Sequence, residues 1–545
     1  MIVNCERYII MNKTFISYFL AVVALLLIVV SCAKRGAPTG GPVDEDPPEI
    51  LRVYPDNFST NFKATVIEIT FDEYVKLKDL QKQLVISPPL KNLPIITPQG
   101  GASKTMTIQI TDTLKENTTY TFNFGQSIVD NNEGNPYPFY RYVFSTGTYI
   151  DSLQLKGKIT DALDFKSEEF VNVMLYKMDS TYTDSIIFKE PPLYVFNTLD
   201  SLETFTMENL AAGTYRMIGL KEENSNLRFE PALDKIGFIS DPVTLPTDEV
   251  YELQLYKPML DNEAVKATHE AKTRFHIAFK GRLDSMNVES LNKDQFSKTR
   301  ITRLKDKDTL QFWFLPELAL EPDSVIIKAS YKNYEEELTV KLKDLYQDSL
   351  IVSKYGAHKL GKPLEYESST PIVSYDKSKV ELLNRDSIPV PVELSLDEFT
   401  NILSINFEQE EQELYRLKLF PGAITDFYGA SNDTVSNNYT TREKSSYGNI
   451  LVTLESGTQW PAIVQIVKED LTVVAEQIAT ENKTYIFENL DPGNYLVRVV
   501  YDANANGMYD PGNFLKNIQP EKVVYLPAVK QLLANWDLRE TVILQ

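Results

Sequence analysis

From Pro48 onward, apolar residues fall on every second position over short runs, separated by clusters rich in Asn, Asp, Gly and Pro. Ile67, Ile69 and Phe71 keep this period, as do Tyr120, Phe122 and Phe124, and later Leu403, Ile405 and Phe407. A period of two puts one set of side chains on a single face of a strand, so the pattern predicts half-buried β-strands. Turn clusters such as Tyr54-Pro55-Asp56-Asn57 and Asp130-Asn131-Asn132-Glu133-Gly134 interrupt the runs at the short intervals of a sandwich. Long amphipathic helical patterns are absent. The expected fold class is all-β, a tandem of antiparallel β-sandwiches.

One apolar stretch does not alternate. Phe15 to Val30 is a 16-residue apolar run preceded by Lys13 and followed by the small Ser31, then Cys32 and a polar, Pro/Gly-rich stretch from Ala33 to Pro48. Charged, apolar and small-residue regions in this order are those of a signal peptide, and the run is short of the ~20 residues needed to span a bilayer. Met11-Asn12-Lys13 opens a signal of ordinary length, so Met11 is a plausible true start and Cys5 has no expected role.

Composition narrows what the remaining chain can be. Its length suits several cores at ~100 to 150 residues each. Cys32 and Cys5 are the only cysteines, so no disulfide can hold the body and each module must bury apolar surface, supplied by 30 Tyr and 27 Phe. With 76 acidic against 55 basic residues, a phosphate backbone would be repelled, and nucleic acid is set aside as a partner.

The chain also repeats itself without a gap at an offset of 280. Thr204 to Pro231 aligns with Thr484 to Pro511, pairing Glu208, Asn209, Leu210, Gly213 and Tyr215 with Glu488, Asn489, Leu490, Gly493 and Tyr495. Asn224, Asn226 and Pro231 match Asn504, Asn506 and Pro511. A looser echo precedes each copy: the Tyr120 strand leads into Ile128, Asp130 and Gly134, and a strand with Tyr415, Leu417 and Leu419 leads into Ile424, Asp426 and Gly429. The order is module A, module B, a middle insert, A again and B again, as a duplication would leave it.

Several of these motifs carry resemblances. Val29-Val30-Ser31-Cys32 resembles a bacterial lipobox, which implies cleavage before Cys32 and acylation of that residue, with nothing upstream entering the fold. Each buried methylene adds about 0.8 kcal/mol and more than one chain is needed for lasting attachment, a need the three chains of lipoproteins meet. Asp46-Pro47-Pro48, Tyr54-Pro55, Phe71-Asp72-Glu73-Tyr74-Val75, Leu114 through Tyr120 and Phe144-Ser145-Thr146-Gly147 resemble the bacterial Ig-like domain of the S-layer-protein type. The leader from Cys32 to Pro42 looks like that of Ig-like lipoproteins of Bacteroidota. Phe487 to Tyr495 and Met207 to Tyr215 are similar to the signature of prealbumin-like sandwiches, the carboxypeptidase regulatory-like and collagen-adhesin B-type domains. There a turn joins two strands, Leu packs inward and Tyr opens the next strand; Gly213 is expected to supply a positive φ. Both families are scaffolds without a reaction of their own.

The expected organisation is a signal peptide at 1–31, a lipidated flexible linker at 32–47, an Ig-like domain at 48–148 and a prealbumin-like sandwich at 149–260. A strand-rich middle domain at 263–350, of no assigned family, is followed by a second Ig-like domain at 364–446 and a second prealbumin-like sandwich at 447–545. In the middle domain Val325, Ile327 and Ala329 alternate, then Leu338, Val340 and Leu342, and an Ig-like or related sandwich is expected by analogy.

The sharpest chemical motif runs from Asp502 to Asp510 and places side-chain oxygens of Asp502, Asn504, Asn506 and Asp510 at positions 1, 3, 5 and 9, with Gly507 at 6 and the Met508 carbonyl at 7. Calcium loops use this spacing because hard cations take six to eight oxygens around a sharp turn. Asn513 stands where a bidentate Glu belongs, so binding would be weak, and a metal-free turn rich in Asn and Asp is equally open. In the first repeat Glu222, Asn224, Asn226 and Glu230 hold matching places, with Leu227 for the glycine. No catalytic residues are assigned: His269, His276 and His358 lie in no nucleophile or zinc context, and Asp72-Glu73, adjacent on a strand, point to opposite faces as at a turn or strand end. Asp-Ser or Asp-Thr followed by an apolar residue recurs at Asp112, Asp151, Asp184, Asp308, Asp348 and Asp386, and resembles an acceptor motif for O-glycosylation in Bacteroidota.

The sequence thus points to a non-catalytic envelope lipoprotein, a row of sandwiches extending from the membrane that binds or scaffolds envelope proteins or glycans through loops and edges. Ala33, Lys34 and Arg35 after the anchor, where surface-export signals are acidic, favour the periplasmic side of the outer membrane. Two other readings are a surface glycan-binding or adhesin module, with Trp313 and Trp460 as an aromatic platform, and a hydrolase whose site sits on sandwich loops.

Overall fold

The computed structural model describes residues 45–544, except 200–202, 282–285, 292–295, 305–306, 317–322, 457–459 and 527. The leader, Cys32 and the first part of the linker lie outside the described residues. Five separate hydrophobic cores follow one another along the chain, each between two sheets, so the fold is a tandem of β-sandwiches.

In the first sandwich, strands Ile50–Tyr54, Val66–Leu77, Ser103–Gln109 and Ile95–Thr97 form one sheet in that order, and Val85–Ser87, Thr119–Asn123 and Arg141–Ser145 form the other. The alternating residues face inward: Ile67, Ile69, Phe71, Tyr120, Phe122 and Phe124 are all buried. Phe62 stacks on Phe144 with ring centroids 3.9 Å apart, and full burial of one such side chain contributes about 1.5–3 kcal/mol. The fourth sandwich repeats this order with Val352–Tyr355, Leu364–Ser368, Ile402–Asn406 and Glu393–Asp397 facing Val380–Leu383, Leu414–Leu419 and Val435–Thr440. Its first strand precedes the boundary expected at 364, because Val352–Tyr355 pairs with Leu364–Ser368 across an eight-residue connection.

The looser echo has a structural cause in these two sandwiches. Asp130 accepts four backbone N–H groups, from Asn132, Glu133, Gly134 and Asn135, at 2.7–3.0 Å. Asp426 accepts those of Tyr428 and Ala430 at 3.0 and 2.7 Å. Each acid therefore closes the turn after its strand, and the turns differ in length, which is why the spacing drifts.

The second sandwich pairs the sheet Tyr194–Asn197, Asn172–Lys177, Gly213–Lys221 and Lys235–Phe238 with the sheet Thr204–Leu210, Leu153–Asp161 and Val250–Leu255. The fifth has the same order in Val473–Ala479, Ala462–Val467, Gly493–Tyr501 and Val523–Tyr525, against Thr484–Leu490, Gly448–Ser456 and Asp537–Leu544. In each the last strand runs parallel to the first, the exception to the expected antiparallel pairing. The repeated Asn209 and Asn489 take left-handed φ of 60° and 57° at the strand end, a conformation Asn tolerates better than most residues. Gly213 does not take the positive φ expected of it; a Cβ there would instead stand 3.2 Å from the Tyr215 hydroxyl. That hydroxyl donates to the Ala211 carbonyl at 3.0 Å, and Tyr495 donates to Asp491 O at 2.7 Å, so the tyrosine ties the turn that precedes it.

The middle domain is a sandwich of four strands (Glu263–Ala271, Arg274–Lys280, Thr309–Pro316, Phe296–Arg303) on three (Asn287–Ser290, Ser324–Tyr331, Tyr334–Lys341), with a core of Phe275, Phe279, Phe296, Phe312 and Phe314.

The sandwiches dock on one another. Arg141 pairs with Glu208 across the first and second, and Val195 N donates to Ser87 Oγ at 3.1 Å. Thr273 Oγ1 donates to the Tyr428 hydroxyl at 2.7 Å between the third and fourth, and Arg442 and Lys359 both pair with Asp491 between the fourth and fifth. The fifth also returns to the second, so the described domains fold back rather than forming the extended row expected. The reason is an apolar outer face on the second sandwich, where Met174, Ile218, Leu220, Ile236, Phe238 and Tyr256 build a second buried cluster that Phe514 of the fifth completes.

Candidate functional site

The loop singled out at Asp502 leaves the end of the Gly493–Tyr501 strand. Asp502 is 2% exposed; its Oδ1 accepts from Asn506 N at 3.0 Å and its Oδ2 from Gly507 N at 2.7 Å. Asn504 and Asn506 donate their side-chain amides to Asp510 Oδ2 at 2.5 and 2.6 Å. Gly507 has φ +77° and Ala505 φ +58°, the left-handed pair that turns the chain. Glu521 closes the loop from outside, accepting from Ala503 N at 2.8 Å and Asp510 N at 3.0 Å. Met508 is exposed, and Asn513 caps Lys516 N at 3.0 Å.

The first copy is built in the same way. Glu222 Oε2 accepts from Asn226 N and Leu227 N at 2.6 and 2.8 Å, and Asn224 and Asn226 donate to the Glu230 carboxylate at 3.0 and 2.6 Å. Asp234 plays the part of Glu521, accepting from Glu223 N at 3.1 Å and Glu230 N at 2.7 Å. Leu227 has φ 56° and Ser225 φ 49°, so the loop keeps its shape where the glycine is absent. Burial pushes the Glu222 and Glu521 carboxyls above their ordinary values, against the backbone N–H groups that favour the charged form. The acids that close the two loops, Asp234 and Glu521, were not legible as partners because they are not at the repeat offset.

As a calcium cradle, the second loop brings Asp502, Asn504, Asn506 and Asp510 together, with the Asn amides turned so that their NH2 groups, not their oxygens, meet Asp510. Among the described residues no three His, Cys, Asp or Glu side chains converge as a metal cluster. The residues fit a cation only after both amides rotate.

The two loops differ in length, and the difference makes an interface. Between its closing acids the second-sandwich loop runs from Glu222 to Asp234, and the fifth from Asp502 to Glu521, with an extra segment carrying Phe514, Asn517 and Gln519. Phe514, 4% exposed, meets Phe238 edge-to-face at 5.3 Å. The Arg216 guanidinium packs against both rings, 5.3 and 5.2 Å from their centres, and donates to Asn517 Oδ1 at 3.1 Å. Gln519 donates to Phe238 O at 2.9 Å and Ser240 Oγ at 3.0 Å. Tyr525 Oη and Arg498 both donate to Leu163 O, at 2.6 and 3.4 Å. Gly512 is required here, since a Cβ would stand 2.7 Å from the Tyr256 ring.

The remaining candidates sit apart from these loops. His269 Nδ1 accepts from Lys343 N at 2.9 Å, and His276, held down to about 4 by burial and by Arg274, faces Gln311 at 3.4 Å. Asp72 and Glu73 lie within the Val66–Leu77 strand rather than at its end, at an irregularity in its pairing with the Ser103–Gln109 strand, and Asp72 accepts from Glu49 N at 2.8 Å. Trp313 is buried and donates to Thr302 Oγ1 at 2.8 Å, and Trp460 packs on the fifth core, so neither forms a platform; Trp536 is 56% exposed and was missed. Of the six Asp-Ser/Thr hydroxyls, Thr113, Ser152, Ser185, Ser349 and Ser387 are exposed and Thr309 is half-buried.

Residues 44–146 match the family model described as a bacterial Ig-like domain. No curated protein matches the chain. Among solved structures, domains 1–6 of the surface layer protein SbsC align at 12% identity over 89% of this chain and 67% of that one, with a TM-score of 0.15. The BSP domain of a biofilm-associated protein aligns at 7% identity over 87% and 97%, also at 0.15, and the titin I9–I11 tandem at 11% identity over 52% and 100%, at 0.12. The first sandwich is thus similar to bacterial Ig-like domains in sequence.

Proposed function

We propose that this chain is a non-catalytic envelope lipoprotein, moored through Cys32 on the periplasmic side of the outer membrane, that binds or scaffolds envelope proteins or glycans. The observation that carries the reading is the commitment of the repeated polar loops to structure. In both copies the acids hold backbone N–H groups, and the longer loop locks the fifth sandwich onto the second. Such a folded-back body offers a fixed surface rather than a flexible string, and rigid surfaces lose less entropy on binding. Weak calcium binding at Asp502, Asn504, Asn506, Met508 and Asp510 is proposed alongside, with the motif spacing as its support. Exposure of five Asp-Ser/Thr hydroxyls supports glycosylation at some of them, which an intact mass equal to the bare acylated chain would dispose of.

The test is made in cells. Wild-type chain is expected in the membrane fraction and the Cys32→Ala variant in the soluble one; retention of the variant would refute the anchor. Protease added to intact cells is expected to leave the chain whole, whereas cleavage would favour the surface adhesin reading. Crosslinking followed by pull-down is expected to give the same partner in repeated samples, and an isolated monomer in all of them would refute scaffolding.

A further inference from the structure

The fourth sandwich carries a cleft of about 180 Å³ that none of the preceding chemistry uses. It is walled by the connection between the Val352–Tyr355 and Leu364–Ser368 strands, and floored by Tyr439. Lys354, His358, Lys359 and Lys362 all line it, four basic side chains within nine residues of a chain whose net charge is −21. Gly356 and Gly361, at φ +65° and +78°, curl the connection so that these side chains share one side.

The cleft is a built feature. Tyr439 is buried and its hydroxyl lies 2.6 Å from that of Tyr366, which fixes the floor. The Lys354 ammonium stands 4.7 Å over the Tyr439 ring, and the His358 ring packs edge-on against it at 5.7 Å. Both His358 ring nitrogens are out of solvent and have no protein partner. Buried polar atoms are nearly always bonded, so an imidazole left this way at the wall of a cleft points to something that enters it. Lys359 is engaged by Asp491 at 3.3 Å, whereas Lys354 and Lys362 make no ion pair among the described residues. Glu365 is the one acid on the lining.

We propose that this cleft binds a phosphate group, with Lys354 and Lys362 supplying charge and the His358 ring, turned about its side-chain bonds to bring a nitrogen out of the wall, donating an N–H to one oxygen. Phosphate is favoured over carboxylate because lysine ammoniums act as point charges, and their attraction grows with the larger charge of a phosphate. The phosphate can be free or the headgroup of a lipid or glycan. Burial, then Lys354, hold the His358 ring below the ordinary histidine value, and an anion beside it reverses the second effect.

The experiment follows the ring C–H signals of the three histidines in the full chain by NMR as a function of pH, with and without inorganic phosphate. Phosphate is expected to move the His358 midpoint upward and to leave His269 and His276 in place. In the Lys354→Ala/Lys362→Ala variant, which changes two exposed side chains, phosphate binding is expected to weaken about tenfold, as lost charge contacts of this kind would give. Unaltered ring signals of Tyr366, which lies in the core of the same sandwich, report that the variant is folded. A His358 midpoint indifferent to phosphate, or an equal response in the double variant, overturns the proposal. Glycerol phosphate and phosphatidylglycerol vesicles distinguish the source: a response to both soluble anions assigns a free or glycan phosphate, and a stronger one to vesicles assigns a lipid headgroup.

Discussion

In the second sandwich the loop after the Gly213–Lys221 strand closes from Glu222 to Asp234, whereas in the fifth the equivalent loop runs on from Asp502 to Glu521. Both keep the same pattern of carboxylates on backbone N–H groups. Only the longer one carries Phe514, Asn517 and Gln519, and these complete the outer core of its sister. A turn copied by duplication thus kept its local hydrogen bonds while an insertion beyond it acquired a tertiary role. The comparison separates two kinds of polar loop residue: those that hold their own turn, and those that hold a neighbouring domain.

Removing the interface is expected to have the largest effect. Phe514→Ala empties a site shared with Phe238, Arg216 and Tyr256, and a buried Phe lost in this way costs about 3–5 kcal/mol, read as a lower urea midpoint. Small-angle scattering is expected to show an expanded body, and an unchanged profile and midpoint would mean that the docking adds no stability. Next come the closing acids. Asp234→Ala leaves two half-buried N–H groups unpaired and is expected to cost about 2 kcal/mol. Glu521→Ala, at a more exposed acid whose carboxyl burial already pushes up, is expected to cost about 1 kcal/mol. Equal losses would erase the distinction between the copies.

A smaller effect concerns pH. Burial holds the folded Glu222 carboxyl above the ordinary value of 4.5, so the folded chain binds that proton more tightly than the unfolded one. Its contribution to stability is greatest below 4.5 and falls as pH rises from there to the folded value, then stays level. Glu222→Gln is expected to flatten that part of the melting-temperature profile, and an unaltered slope would count against it. The smallest effect is expected from calcium, which should raise the melting temperature slightly through the Asp502 loop and not in the Asp510→Asn variant. If millimolar calcium changes neither protein, the loop is a hydrogen-bonded turn and nothing more.

Much of the fold was legible because its causes are local. Alternation at Ile67, Ile69 and Phe71, or at Leu403, Ile405 and Phe407, reports which face of a strand leaves water, and a strand is defined over a few residues. The repeated Asn209 and Asn489 mark a left-handed strand end, and Tyr215 and Tyr495 reach four residues back. The candidate loop was half legible: its Asx spacing was visible, but Asp234 and Glu521 stood at different distances from the repeat and gave no signal.

The sequence alone determined the β class, the duplication and the Asn- and Asp-rich turns, since strand period and turn chemistry act between near neighbours. Tertiary structure decided which faces meet. Arg216 finds Asn517 across 301 positions, and Tyr525 finds Leu163 across 362, and no pattern along the chain encodes a contact between two surfaces that are each folded first. The apolar outer residues Ile218 and Phe238 read as ordinary strand residues until a second sandwich covers them, because burial is a property of the assembled surface and not of the strand that carries it.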